Sequence, residues 1–205
     1  TALKPDTKVV DNYELGWRAS ALRWQASASA YFSTSDEGTT FGGPPDFLLQ
    51  SRKEEVYGVE LTADFQVTDR VRVGGNGSWQ EGRVDTDSDG DVDEDLDGTR
   101  IGPPKLMLYS EYRGADWWSV RGQVRRIFDR DEFGNSTAFA EGEVNGYTLV
   151  DVGGELDVGP GTLSAGIDNL LDEQYITPLG QAYNLPGFVI AGRGRAFSLS
   201  YTLTY

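Results

Sequence analysis

The chain has no cysteine and no histidine, a single methionine, and only 18 basic residues against 33 acidic ones. Without cysteine there is no disulfide framework and no thiolate zinc site; without histidine the commonest general base and transition-metal ligand is missing. No G-x-S-x-G elbow and no P-loop is present, so an enzyme is not expected. With so many acids some carboxylates will always pair, and a pair without a cleft is not evidence. Long apolar runs are also lacking, since none approaches the ~18–20 residues of a membrane-spanning helix. Mean hydropathy is −0.45. That excludes a helical membrane protein but not a strand-built one, whose lipid face is hidden by alternation. The net charge of −15 argues against nucleic acid and against a basic patch for anionic lipid; it suits loops that meet cations.

What the chain has is period two. Nine stretches alternate apolar and polar residues. In the clearest, Tyr57, Val59, Leu61, Ala63, Phe65 and Val67 fall on one face, with Gly58, Glu60, Thr62, Asp64 and Gln66 on the other. Alternation of this kind builds a β-strand between an apolar medium and a wet one. Strands are expected near 13–20, 22–34, 56–67, 71–84, 105–113, 117–128, 147–158, 162–170 and from Phe197 onward. Their connections alternate in length. Short turns fall at Ser20-Ala21, Thr68–Arg70, Gly114–Asp116 and Gly159–Gly161, and long connectors at 35–55, 85–104, 129–146 and 171–194. This is the pattern of an antiparallel up-and-down transmembrane barrel wall, with short periplasmic turns and long extracellular loops.

The apolar rows carry no charge at mid-strand, where Arg or Lys would cost ~2–4 kcal/mol. They include Trp24 to Phe32, Val71 to Trp79, Leu106 to Tyr112, Trp118 to Val124 and Val150 to Val158. Arg18, Glu60, Asp64, Glu111, Arg121 and Arg125 take the opposite parity and face a lumen, and Trp and Tyr gather near strand ends as interfacial girdles do. Two other readings stay open: a passive porin or small complete barrel, and a soluble calcium-binding β-domain of adhesin or lectin type.

An ordered series of short motifs resembles one family. Leu3-Lys4-Pro5 with Asn12-Tyr13-Glu14-Leu15-Gly16, then Gly58-Val59-Glu60-Leu61 with Asp64, look like strands found late in TonB-dependent outer-membrane receptors. Pro103-Pro104-Lys105-Leu106, Gly146-Tyr147-Thr148-Leu149-Val150-Asp151, Gly166 to Asp172 with Tyr175, and Gly192-Arg193-Gly194-Arg195 continue the likeness. The resemblance is to ferric siderophore receptors. It implies that residues 1–205 are the C-terminal part of such a barrel, about nine strands of ~22, with plug domain and N-terminal strands absent. It further implies transport of an iron chelate across the outer membrane of a Gram-negative bacterium. The partners implied are a ferric siderophore, the TonB complex through the plug half, the barrel assembly machinery and outer-membrane lipid. No cofactor is required. Tyr109, Arg121 and Arg125 are the lumen residues placed to touch ligand or plug, or to serve as plain polar lining.

Two segments invite separate expectations. Between residues 85 and 97 lie seven aspartates in thirteen positions. Counting Asp85 as position 1 puts acids at 1, 3, 5 and 9 and Gly90 at 6, much like an EF-hand loop. Asp85, Asp87, Asp89, Asp91, Asp93 and Asp97 are therefore candidate Ca²⁺ ligands, although position 12 is Leu96 and not the usual Glu. The alternative is a solvated acidic loop tip. At the C-terminus, Phe197, Leu199, Tyr201, Leu203 and Tyr205 share one face and read as the strand recognised in barrel assembly, or as a girdle anchor.

Overall fold

The computed structural model describes residues 9–41, 49–134, 143–183 and 190–203. The motif at Leu3-Lys4-Pro5 and the terminal Tyr205 lie outside these residues. The described chain is a single antiparallel sheet of ten strands. These are β1 (Asp11–Ala21), β2 (Trp24–Phe41), β3 (Leu49–Thr68), β4 (Val71–Val84), β5 (Glu94–Asp95), β6 (Lys105–Ala115), β7 (Trp118–Ile127), β8 (Tyr147–Val158), β9 (Gly161–Asp168) and β10 (Ala196–Leu203). Nine of them follow one another in sequence order across the sheet, and β5 pairs only with the end of β4. The sheet does not close, so β1 and β10 are its two edges among the described residues.

Each of the nine expected strands is found, with shifted ends. The first turn lies at Leu22-Arg23 and not at Ser20-Ala21. The connector expected over 35–55 is largely strand, because β2 and β3 stay paired out to Phe41 and Leu49. Its polar composition hid the pairing: beyond the apolar band there is no lipid to enforce alternation. A register shift between Ser35 and Gly38 marks the change, as bulges do at sheet rims.

Cross-strand register confirms the two faces. Phe65 pairs with Trp24 and Val73, Leu61 with Ala28 and Gly77, Leu108 with Gly75 and Val124, and Leu199 with Ala165. One face is thus apolar from β1 to β10. Leu15, Leu61, Leu108 and Leu199 on it are all more than half exposed. A β-sandwich would bury such rows under a second sheet; here nothing in the described chain covers them, and an exposed apolar face of this extent needs an apolar medium. Aromatic side chains bound the band. On β2, Trp24 and Phe32 stand eight residues apart, as do Phe65 and Tyr57 opposite them on β3. That is about 26 Å along a strand, before tilt, against a ~25 Å apolar band in outer-membrane barrels.

Among the described residues the buried apolar side chains are few: Val84, Leu96, Ile101, Val144, Leu149 and Ala182. All sit at the rim of the long connectors, where a short helix α1 (Pro178–Ala182) is capped by the Thr177 hydroxyl, which accepts from the Gly180 amide. The strands carry the apolar face, and what core the described residues have lies where strand ends meet the long connectors.

Candidate functional site

The acidic connector folds around its own carboxylates. Asp85 is 3% exposed and accepts from the amides of Ser88 at 2.6 Å and Gly90 at 2.8 Å. Gly90 has φ 99°, a left-handed turn that glycine takes at little cost. Asp87 and Asp89 each accept from the amide two residues on, at 3.2 and 2.9 Å. Carboxylate oxygens of Asp85, Asp87 and Asp89 lie within 4.8 Å of one another. Oxygens around one Ca²⁺, each at ~2.3–2.6 Å from the ion, can be that far apart, so this trio fits. Asp93 is engaged elsewhere, accepting from the Thr86 amide and hydroxyl at 2.9 and 2.8 Å. Asp97 accepts from the amides of Thr99 and Arg100 at 2.8 and 3.2 Å. Asp91 is not among the converging carboxylates.

Desolvation pushes the Asp85 carboxyl up, but the Gly90 and Ser88 amides outweigh it and hold it below the usual carboxylate range. The Thr86 amide and hydroxyl lower Asp93 in the same way. A depressed folded pKa gives stability that is present above the unfolded value and lost as pH falls through the lower folded one. The turn over 85–93 is therefore expected to keep its order at neutral pH and to lose it only once the pH falls below the ordinary aspartate range. Amide exchange at Gly90 measured against pH checks this; loss of protection already at pH 6 contradicts it.

The polar face of the sheet carries two ion-and-hydrogen-bond clusters. In the first, Asp64 on β3 accepts from the Tyr109 hydroxyl, from Arg72 at 2.9 Å and from Gln25 at 3.3 Å. The Arg121 guanidinium lies 4.3 Å from the centroid of the Tyr109 ring. Tyr109 stands opposite Gly74, where an added Cβ would come within 2.8 Å of its ring and of the Ala63 carbonyl. Tyr31 is seated likewise over Gly58, its cross-strand partner. The glycine leaves room for a ring to lie flat on the sheet. Gly74→Ala is expected to lift Tyr109 off Asp64 and cost about 1 kcal/mol or somewhat more, read by urea unfolding in lipid. An unchanged midpoint would mean the ring moves freely aside.

The second cluster surrounds Asp151, which is 7% exposed. It accepts from Gln123 at 2.8 Å, Arg125 at 3.1 Å and the Asn169 amide at 2.8 Å. Asn169 in turn donates to the Glu173 and Arg193 carbonyls and accepts from the Glu173 amide. Tyr147 and Tyr175 stack with centroids 4.3 Å apart. The motif residues from 146 to 151, from 166 to 175 and at Arg193 are thus one object: the seat on which the last long connector leaves and re-enters the sheet.

The three lumen candidates do fall on the polar face, but two of them are occupied. Tyr109 serves Asp64 and Arg125 serves Asp151, while Arg121 rests on a ring. Sequence reasoning missed Glu54, Glu81, Arg100 and Arg130. Arg100 grips buried Glu54 at 3.0 and 2.6 Å, and Arg130 grips Glu81 at 2.9 Å. The available signal was weak: a cation in each acidic connector, with an acid of lumen parity at the start of β3. At the other end, Phe197 to Leu203 keep their shared face on edge strand β10, and the Tyr201 hydroxyl reaches the Val158 carbonyl at 2.7 Å.

A sheet with one lipid-fit face, one ion-paired polar face, short turns at one rim and long folded loops at the other defines a barrel-wall protein. Residues 3–170 match the family model described as TonB dependent receptor-like, beta-barrel, and the chain belongs to that family. It is 32% identical over 218 residues to the ferric aerobactin receptor of Escherichia coli, and equally to that of Klebsiella pneumoniae, with 96% of this chain covered. The match spans 27% of each receptor, so the chain corresponds to about a quarter of the relatives' length. Among solved structures it resembles the copper transporter OprC with a TM-score of 0.81, 20% identity, and 96% of this chain and 31% of that one covered. The ferric citrate transporter FecA gives a TM-score of 0.73 at 17% identity, covering 95% of this chain and 31% of that one. At such identities these likenesses speak for the fold.

Proposed function

We propose that the chain supplies barrel wall and long loops to an outer-membrane receptor that imports a ferric siderophore in a Gram-negative bacterium. The carrying observation is the 32% identity to ferric aerobactin receptors across 96% of the chain, on a sheet whose apolar face is bare. The long-connector rim is then extracellular and the short-turn rim periplasmic. Energy for uptake comes from the TonB complex, acting through parts of the receptor beyond these residues. Edge strand β10 offers backbone pairing to the barrel assembly machinery, and its aromatic row sets the register. Arg121 is the lumen cation we assign to an anionic partner, beside a recess of about 380 Å³ lined by Glu111, Arg113, Gly153, Glu155 and Ser198. The chain acts in transport and not as an enzyme.

The test is growth on iron-limited medium of a strain whose uptake depends on the full-length receptor. Rescue by one ferric siderophore, lost on deleting the receptor or on collapsing the proton gradient, is the expected result. Rescue by small solutes without a gradient would mean a passive pore.

The acidic turn enters the same proposal as a weak site for a hard divalent cation, held by Asp85, Asp87 and Asp89. Calcium at ~10⁻⁴–10⁻³ M is expected to release or absorb heat and to protect amides 85–93. Asp85→Asn with Asp89→Asn should abolish both effects. No heat in the unaltered receptor leaves a turn held by its own amides.

A further inference from the structure

Three of the long connectors are joined to one another more tightly than a row of independent loops would be. Arg130, only 3% exposed, projects from the connector after β7 into the connector after β4. There it donates to the Leu96 carbonyl at 3.2 Å and to the Ile101 carbonyl at 3.4 Å, and it also reaches Glu81, near the end of β4, at 2.9 Å. Its guanidinium lies 4.8 Å from the Phe133 ring centroid, and the Gly134 amide donates to the Asp95 carbonyl at 3.0 Å. The connector after β7 is tied in turn to the one after β9. The Gln181 side chain accepts from the Asn145 amide at 2.8 Å and donates to the Asn145 carbonyl at 3.0 Å. The triangle closes at Gly98, where an added Cβ would lie 3.1 Å from both Ala182 and Phe133. Ala182 and Val144 are 0% and 1% exposed, as deeply buried as any apolar side chain among the described residues.

We propose that the described parts of these three connectors form a single cooperative body, clamped by Arg130 and by the Gln181–Asn145 pair, which keeps or loses its order as a unit. A buried guanidinium that satisfies two carbonyls and a carboxylate cannot leave without stranding all three, so the clamp releases all at once or not at all. Glycine at 98 permits Phe133 and Ala182 to close on the connector after β4, whose own small core is Leu96 and Ile101 with Val84. Taken with the receptor function proposed above, an arriving chelate meets one preformed surface and not three mobile loops, which lowers the ordering cost of capture. The cooperativity itself does not depend on what is transported.

Hydrogen exchange on the ligand-free, full-length receptor in lipid nanodiscs tests this without invoking transport. In one cooperative unit every protected amide reports the same opening free energy. Gln181→Ala removes the bonds to Asn145 between the connectors after β7 and β9, and one within the latter to the Ile176 carbonyl, and touches no bond of the connector after β4. It is nevertheless expected to speed exchange about tenfold at the Leu96, Val144 and Tyr183 amides alike, as loss of ~1.4 kcal/mol would. Leu96 is the deciding reporter, because its amide bond to the Gly82 carbonyl (2.7 Å) is untouched by that change. Faster exchange at Val144 and Tyr183 with Leu96 unchanged overturns the proposal. So does an equal rise in the β6 and β7 amides, which would make the loops part of the wall. Arg130→Met combined with Glu81→Gln is the second arm, with heat-modifiable gel migration confirming a folded barrel. It should release all three reporters together; release of Leu96 alone again overturns the single body.

Discussion

Leu108→Arg is expected to destabilise the receptor in a bilayer by ~2–4 kcal/mol, the known range for a cation at the centre of a barrel's lipid face. Leu108 lies mid-strand on β6, 53% exposed, flanked across the sheet by Gly75 and Val124. No carboxylate shares that face nearby, so the guanidinium would have to drag water or headgroups inward. The matched control is Asn76→Arg, on β4 beside Met107 but of opposite parity, facing the polar side. Tyr109, although adjacent to Leu108, is a poor control because its hydroxyl is already spent on Asp64. Urea titration of both variants refolded into lipid vesicles should show a large drop in midpoint for Leu108→Arg and little for Asn76→Arg. Equal drops would remove the assignment of faces.

Asp151→Ala is expected to cost ~2–3 kcal/mol. The carboxylate is buried, and its removal strands the Asn169 amide and Gln123; Arg125 is about half exposed and recovers water, which keeps the loss below that of a fully buried pair. The damage should be local as well as energetic. Asn169 holds both ends of the last connector through Glu173 and Arg193, so proteolysis should cut near 171–175 in the variant and not in the parent. Asp151→Asn, which keeps an acceptor for the Asn169 amide, should recover much of both. If the two substitutions behave alike, the charge and not the amide bond carries the seat.

The wall was legible from the sequence because lipid imposes a strict rule. Every second residue from Tyr57 to Phe65, or from Phe197 to Leu203, must be apolar, and the rule survives without any knowledge of partners. Where the lipid ends the rule ends, which is why β2 and β3 run on unread from residue 35 to Phe41 and from Leu49 to residue 55. The polar face follows no periodic rule beyond parity. Parity put Tyr109, Arg121 and Arg125 on it, yet gave no sign that Asp64 and Asp151 would claim two of them. Those pairings join residues 45 and 26 positions apart in the chain, set by register alone. The acidic turn was legible as a turn, since Asp85 and Gly90 act within five residues. Arg130 was not, because its partners Glu81, Leu96 and Ile101 meet only after two connectors have folded against each other.

The unpaired margins of β1 and β10 set a condition on any work with this stretch of polypeptide. Along each margin a row of amides and carbonyls points sideways with no partner in the described chain, which is how strands recruit other strands. Residues 11–203 taken by themselves would therefore behave less like a molecule than like a strip of fabric cut from a sleeve. Concentration, and not temperature, would govern their fate: dilute strips would fray from both hems, and crowded ones would sew themselves hem to hem. A melting curve recorded on such material would describe the stitching between copies. The wall's own resilience becomes measurable only when each hem meets the strand that borders it in the whole receptor.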